Sequence, residues 1–332
     1  TKEWVLLSNE MDVLNSDVQN CYPTNKISTN DLEQFKNNFP EFLKLNEEEA
    51  NYLFGSVSEK DYKITAFHST EKISSYLFAI CAGPFYCHVD KSNYKVPLRI
   101  FMRESLKDCG NPEEFFKITI AGMEWYHKFF GYAYPFRKYD QIYCPEYNYG
   151  AMENVGLVTY TEVYCWRENP TNQLLNRFSI TVLHELAHMW FGNFVTMKWW
   201  DDLWLNESFA TFISFLCQDQ ALTPELFGDT YKNSWLSFNT YKDYAYREDQ
   251  NSSTHSVYSE ISDTEKAHSN FDAIVYYKGS SLLKQMFYFI QEKSFSKGLN
   301  SYFSKYQWNN SVFDNFIDEM ALAVSQRDDL DP

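Results

Sequence analysis

The stretch FSITVLHELAHMWF, residues 178–191, combines an apolar helical pattern with two histidines that stand four residues apart. Residues four apart lie one above the other on a helix, so His184 and His188 present two imidazole rings to a single point. Paired imidazoles of this kind are typical zinc ligands. Glu185 lies between them, close enough to accept a proton from a bound water without being a ligand itself.

A third ligand is predicted from the next apolar segment. Residues 202–210 read DLWLNESFA, which predicts an amphipathic second helix, and Glu207 follows His188 after eighteen intervening residues. Two imidazoles and one carboxylate leave the fourth position of a tetrahedral site open, as in catalytic zinc sites. The short histidine pattern alone also fits two buried core histidines. The addition of Glu207 favours one zinc ion (Zn2+), held by His184, His188 and Glu207.

Three further segments accompany the metal motif and carry a family resemblance. They are YPFRKYD at Tyr134–Asp140, GAMEN at Gly150–Asn154 and FDAIVYYKG at Phe271–Gly279. In this order and spacing the chain resembles the gluzincin aminopeptidases, typified by aminopeptidase N. The resemblance runs from about Trp4 through Gly279. It implies an α+β fold in which a thermolysin-like mixed α/β catalytic domain follows the end of a β-rich amino-terminal domain.

The resemblance also implies that the GAMEN segment binds substrate. Its members are Gly150, Ala151, Met152, Glu153 and Asn154. A carboxylate such as Glu153 is a simple anchor for a charged α-amine, which predicts peptide substrates with a free amino terminus. Gly150 and Ala151 lack bulk, so a peptide backbone could lie along this strand as an added β-strand. The alternative for this segment is an ordinary glycine-containing turn.

Position within the third motif selects one tyrosine for catalysis. The resembling tyrosine stands two residues before the lysine of the Lys-Gly pair, which indicates Tyr276 over Tyr277 as the donor to an oxyanion. With Glu185 as general base, the implied reaction is zinc-dependent removal of the amino-terminal residue from a peptide. Two alternatives stay open: a non-catalytic scaffold or assembly component that retains the motif, and an epoxide hydrolase-like relative, whose anchor motif has Gly where this chain has Ala151.

Four positions depart from the usual family pattern. Met189 stands where Gln is usual, Val155 where Trp is common, and Ser208 where Gly is frequent. None of these replaces a predicted ligand. Ser214 stands seven positions after Glu207, where the family often has an acidic residue, so a partner that orients a zinc ligand is expected to be missing.

The length of 332 residues predicts about two domains. We expect residues 1–103 to be the carboxyl-terminal part of a β-rich domain and residues 104–332 to be the zinc peptidase domain, with other domains of a longer protein as partners. The predicted early elements are a helix at Asp31–Phe39, strands at Glu3–Ser8, Tyr62–Phe67, Ser74–Cys87 and Tyr94–Met102, and a helix at Pro112–Phe130.

Charge and cysteine usage restrict the class of partner. A net charge of -16 disfavours nucleic acid and favours the approach of cationic peptide amino termini. The longest apolar stretch, Tyr76–Phe85, is too short to span a membrane. Seven scattered cysteines without a CxxC pair favour reduced thiols and a cytoplasmic location. A membrane-anchored or secreted form stays an alternative.

Overall fold

The computed structural model describes residues 4–12, 65 and 67–327, which form an α+β structure, as predicted. The strands are β1 Val5–Ser8, β2 Ile80–Gly83, β3 Phe85–Val89, β4 Leu98–Arg103, β5 Tyr139–Cys144, β6 Ala151–Met152, β7 Leu157–Thr161, β8 Val195–Met197 and β9 Asn309–Ser311. The α-helices are α1 Pro112–Phe130, α2 Asn172–His188, α3 Leu203–Ala221, α4 Pro224–Phe227, α5 Ser234–Asp249, α6 Thr264–Ser269, α7 Gly279–Ile290, α8 Glu292–Tyr306 and α9 Phe313–Ser325. A π-helical segment, Ile274–Lys278, precedes α7.

A five-stranded sheet in the order β3-β4-β5-β7-β6 forms one side of the catalytic region. Strands β4, β5 and β7 run parallel, whereas β3 and β6 pair antiparallel with their neighbours. Strand β5 is buried along nearly its whole length, as expected for a central strand covered on both faces. Strand β6, from the GAMEN segment, lies at the edge.

The predicted bounds of helix α1, Pro112–Phe130, are confirmed, and local sequence signals explain both ends. Asn111 caps it by accepting a hydrogen bond from the backbone N–H of Glu114, and Pro112 occupies the first turn. The helix ends at Gly131, whose φ of 65° is readily adopted by glycine. The apolar face of α1 packs against α2 and joins the main hydrophobic core.

Helix α3 differs from its predicted character. A helix was expected here and is present, but the expected amphipathic pattern is wrong, because every residue from Leu203 to Gln218 is buried. The helix passes through the centre of the protein, where α2, α5, α7 and the π-helical segment pack around it. A helix enclosed on all sides has no solvent face to carry polar residues.

The predicted strand Ser74–Cys87 is interrupted. Residues Ser75–Leu77 form a 3₁₀ turn, and β2 and β3 follow it. The Asn9 side chain donates to the Leu77 carbonyl and accepts from the Ala79 N–H, so it takes the place of a strand partner there. The predicted helix at 31–39 lies outside the described residues, as does the predicted strand at 62–67 except for Thr65 and Phe67.

The sheet contains strands from both sides of the predicted domain boundary. Strands β3 and β4 precede residue 104, and β4 pairs directly with β5. The boundary between residues 103 and 104 therefore stays a prediction. Among the described residues, no helix is both long enough and apolar enough to cross a membrane.

Candidate metal centre and substrate cleft

Helix α2 presents the two predicted histidine ligands from its last two turns. Thr171 caps the start of the helix by accepting from the Leu174 N–H, and the chain then stays helical to His188. The Nε2 atoms of His184 and His188 lie 3.0 Å apart and face one another. Two ring nitrogens in this arrangement are held together by a shared proton or by a shared cation.

Glu207 on helix α3 completes a group of three that could hold a metal ion. Its Oε2 atom lies 3.2 Å from Nε2 of His184 and 3.4 Å from Nε2 of His188. Ligands bonded to zinc at about 2.0–2.1 Å in a tetrahedral site stand roughly 3.3 Å from one another. The three donor atoms therefore match the size and the chemistry of a zinc site.

Two polar residues of α3 face the outer nitrogens of the rings. His188 Nδ1 lies 3.2 Å from both the Phe191 carbonyl oxygen and Asn206 Oδ1. Both atoms are acceptors, so Nδ1 carries a proton, and in the neutral ring Nε2 has its lone pair for a metal. His184 Nδ1 lies 3.4 Å from Thr211 Oγ1. Asn206 and Thr211 thus orient the predicted ligands, although the sequence analysis missed both.

Ser214 does not take part in this arrangement. Its hydroxyl donates to the Thr211 carbonyl, 2.8 Å away, one turn back along α3. Although position 214 lacks the acidic residue that the family often has, the outer nitrogens of both rings still have polar neighbours. These neighbours are Asn206 and Thr211. Helical spacing contained a signal for Thr211, because it stands four residues after Glu207.

Buried carboxylates surround the group. Glu153, Glu185 and Glu207 are each 5–6% exposed. Burial, together with the charge of Glu153, raises the pKa of Glu185 well above its usual value, and burial also raises the pKa of Glu153. Burial alone would lower the pKa of His188, but Glu153 and Glu207 outweigh it and raise that pKa to about 10. These shifts indicate that a positive charge at the centre is electrostatically favourable.

The GAMEN segment borders the centre at the edge of the sheet. Ala151 and Met152 pair with β7 on one side only. The Gly150 carbonyl accepts from the Thr161 N–H, and the Asn154 amide donates to Thr159 Oγ1 over 3.1 Å. The Glu153 carbonyl accepts from Asn193 Nδ2 over 2.7 Å, which ties the segment to the loop after α2.

The two neighbouring tyrosines of the third motif face different surroundings. The ring of Tyr276 stacks near that of His184, with centroids 6.1 Å apart, and its pKa is raised by burial and by Glu207 and Glu153. The ring of Tyr277 instead packs against Tyr241 of α5, with centroids 4.9 Å apart. Of the two rings, that of Tyr276 lies beside a predicted ligand, and its role in catalysis stays a prediction.

Two adjoining cavities open beside the metal group. The first, of about 200 Å³, is lined by Glu153 and Glu207 together with Tyr76, Met152 and Phe271. The second, of about 460 Å³, shares Tyr76 and extends towards Lys198 and Asn310. Tyr76 is a residue that the sequence analysis missed. It comes from the 3₁₀ turn at Ser75–Leu77, far from every motif, so no local pattern indicated it.

Comparison with known proteins places these observations in context. The chain matches the Peptidase family M1 domain over residues 115–331. It is 45% identical over 255 residues to aminopeptidase N of Streptomyces lividans, covering 76% of this chain and 29% of that protein. It is 34% identical over 274 residues to aminopeptidase N of Rattus norvegicus, covering 81% and 28%. It is 36% identical over 307 residues to aminopeptidase N of Lactococcus lactis subsp. lactis (strain IL1403), covering 90% and 35%. The chain therefore spans 28–35% of the length of these relatives.

Proposed function

Since this chain belongs to peptidase family M1, we propose that it forms the catalytic centre of a zinc-dependent aminopeptidase. The observation that carries the proposal is the convergence of His184, His188 and Glu207, with donor atoms 3.0–3.4 Å apart, beside an open sheet edge. Met152 of the edge strand and the buried carboxylates Glu153 and Glu207 line one cavity. A scaffold without catalysis would have no need for this concentration of buried ionisable groups.

His184, His188 and Glu207 would hold the zinc ion, with Asn206 and Thr211 orienting the two imidazoles. When bound, zinc polarises a carbonyl group and acidifies a water molecule. Glu185 lies beside these ligands and is proposed to accept the proton of the attacking water. It would then pass that proton to the leaving amine, as a general base followed by a general acid.

Glu153 is proposed to pair with the substrate's α-amine, which makes it the determinant of exopeptidase action. It lines the cavity next to Glu207, so an amine held there would place the first peptide bond near the metal group. Gly150, Ala151 and Met152 would add the peptide to the sheet, because β6 is an edge strand. Asn154 supports the strand through Thr159. Tyr276 would donate to the oxyanion of the transition state.

The decisive experiment measures zinc content and turnover of a chromogenic amino-acid amide by the whole protein. We expect one zinc ion per chain and measurable turnover. His188→Ala should lose both, whereas His127→Ala, on the outer surface of α1, should lose neither. A zinc content near zero in the parent protein, unchanged by His188→Ala, would rule out the metal site. Bound zinc without turnover of any amino-acid amide would favour the scaffold alternative.

The domain division and the location of the protein remain part of the proposal. We propose that residues 1–103 belong to a β-rich domain and residues 104–332 to the peptidase domain. The cytoplasmic proposal rests on the scattered cysteines, which include no CxxC pair. One relative at 33% identity is named as mitochondrial aminopeptidase 2 of Saccharomyces cerevisiae.

A further inference from the structure

The π-helical segment that carries Tyr276 is capped by a residue outside the metal centre. Asp272 Oδ1 accepts hydrogen bonds from the backbone N–H groups of Ile274 and Val275, at 2.9 and 3.2 Å. The carbonyl of Asp272 also accepts from the Tyr276 N–H over 3.2 Å. Asp272 therefore determines where the segment begins and how its first turn is directed.

A histidine from a separate loop holds this capping residue. His255 Nε2 lies 2.8 Å from Asp272 Oδ2, and His255 Nδ1 lies 2.7 Å from the Ser256 carbonyl oxygen. Both partners are acceptors, so an imidazolium ring can donate to both, whereas a neutral ring can donate to only one. The contact with Asp272 joins two partly buried groups.

The same loop braces the other end of the segment. Lys278 donates to both carboxylate oxygens of Asp249, at 2.9 and 2.8 Å, and Asp249 also accepts from the hydroxyl of Thr254. Asp249 is the last residue of α5, and Thr254 directly precedes His255. One loop, residues 249–255, thus contacts the Tyr276 segment on both sides of the tyrosine.

Helix α3 holds the segment from the opposite side. The Ser208 hydroxyl donates to the Val275 carbonyl over 2.5 Å, and Ser208 is the neighbour of Glu207. Gly279 packs so closely on Ser208 that a Cβ atom at position 279 would clash with the Ser208 hydroxyl. These contacts hold one side of the segment against α3, the helix of the third metal ligand. The contacts with the loop at residues 249–255 restrain its other side.

We propose that Asp272 and His255 are positioning residues that fix the phenol of Tyr276 relative to the metal group. The inference rests on the proposed function, in which Tyr276 donates to the oxyanion. Such a donor must lie within hydrogen-bonding distance of an oxygen that carries full charge only in the transition state. A displacement of about 1 Å at a reacting group costs roughly 100-fold in rate.

The test compares three variants by kcat, KM, zinc content and hydrogen exchange of peptides that span residues 272–279. Asp272→Ala removes both the cap and the link to His255, and should lower kcat roughly 10- to 100-fold while KM changes little. Asp272→Asn keeps an oxygen that can cap the two amides, so it should restore most of the loss. His255→Ala keeps the cap and should show an intermediate loss of kcat.

A double-mutant cycle separates positioning from a general loss of stability. In a Tyr276→Phe background, Asp272→Ala should lower kcat little further, because the group that it positions is already absent. Asn111→Ala is the matched control, since it removes a helix cap of the same kind on α1. It should reduce stability without lowering kcat at a temperature where the protein is folded. A full, additive loss from Asp272→Ala in the Tyr276→Phe background would overturn the inference.

Hydrogen exchange distinguishes a failure of this inference from a failure of the proposed function. If the parent protein binds zinc and turns over substrate, but Asp272→Ala leaves both kcat and exchange in residues 272–279 unchanged, the positioning inference is wrong and the proposed function stands. If the parent protein shows no turnover, the proposed function fails. Faster exchange in Asp272→Ala, reversed by Asp272→Asn, then supports the structural part of the inference.

Discussion

Two clusters of buried ionisable groups in this protein differ in how their carboxylates are compensated by nearby cations. At the sheet, Asp140 is fully buried and accepts bidentate hydrogen bonds from Arg99 at 2.7 and 2.6 Å. Lys138 contacts the same carboxylate at 2.7 Å and also donates to the carbonyls of Ser8 and Gly156. At the metal centre, the carboxylates Glu153 and Glu185 are also buried, at 5% and 6% exposure, and His188 is the nearby basic group.

The pKa of Asp140 shifts in the opposite direction to those of Glu153 and Glu185. Burial would raise the pKa of Asp140, but Arg99 and Lys138 outweigh it, so that the pKa is lowered. Burial raises the pKa values of Glu185 and Glu153, and the opposing effect of His188 is too small to reverse the shift. The cluster at the sheet supplies its own cations and serves stability. In the proposed function, a metal ion and a substrate amine would bring positive charge to the cluster at the metal centre.

Removal of one charge from the metal centre should affect turnover and not folding. We expect Glu185→Gln to lower kcat by a factor on the order of 10²–10⁴, because the general base is lost while the zinc ligands remain. The free energy of unfolding should not fall, since a neutral amide replaces a carboxyl group that burial disfavours in its charged form. Steady-state kinetics, zinc analysis and urea denaturation check this. Parental turnover by Glu185→Gln would contradict the assignment.

The same isosteric change in the other cluster should do the reverse. Asp140→Asn leaves Arg99 and Lys138 without their buried counter-charge, so the free energy of unfolding should fall by about 3–5 kcal/mol. Glu124→Gln is the matched control, because Glu124 and Lys95 form an exposed pair, and it should cost less than about 1 kcal/mol. Urea denaturation of both variants measures the difference. Equal, small losses would show that the buried cluster is dispensable.

Substitution of Tyr276 and of Tyr277 tests which of these two neighbouring phenols takes part in catalysis. We expect Tyr276→Phe to lower kcat roughly 10²- to 10³-fold with little change in KM, because the phenol binds the oxyanion more tightly than the ground-state carbonyl. Tyr277→Phe should keep near-parental kcat, since its ring packs on Tyr241 away from the metal group. Steady-state kinetics with an amino-acid amide decides between them. A loss confined to Tyr277→Phe would reverse the assignment.

Glu153 should respond to the charge of the substrate and not to its length. Glu153→Ala is expected to cost roughly 2–4 kcal/mol of transition-state binding, as for loss of a buried charge-assisted contact. Amino-terminally acetylated peptides should be poor substrates of the parent protein, because they lack the cationic amine. Values of kcat/KM for matched free and acetylated peptides measure both effects. Efficient cleavage of acetylated peptides would exclude Glu153 as the amine anchor.

Lowering the pH should remove the stabilisation that ionised Asp140 contributes to the sheet cluster. The folded-state pKa of Asp140 is lowered, so ionised Asp140 stabilises the protein above the pKa of about 3.9 in the unfolded chain. This contribution is lost as the pH falls through the folded-state pKa. The difference in unfolding free energy between the parent protein and Asp140→Asn should therefore be largest near neutral pH and shrink below about pH 4. A difference that grows with acidity would contradict the pairing.

The local helical period explains why the metal group could be predicted from residues alone. Spacing of four along a helix brings His184 and His188 together regardless of what surrounds them. The short segment to Glu207 leaves few ways for the next helix to pack. The bounds of α1 could also be predicted from local sequence, because a cap, a proline and a glycine mark its ends. The choice of Tyr276 came from resemblance to a motif, not from physical spacing.

Contacts between distant segments were decided only by tertiary packing. Tyr76 reaches the cleft because Asn9 replaces a strand partner at Leu77, and nothing near Tyr76 in the sequence records this. His255 meets Asp272 through a loop whose path has no periodic pattern. Side chains along a helix are related by a fixed rise and rotation, so spacing predicts their neighbours. Contacts across loops depend on the balance of all packing interactions, which no single stretch of residues contains.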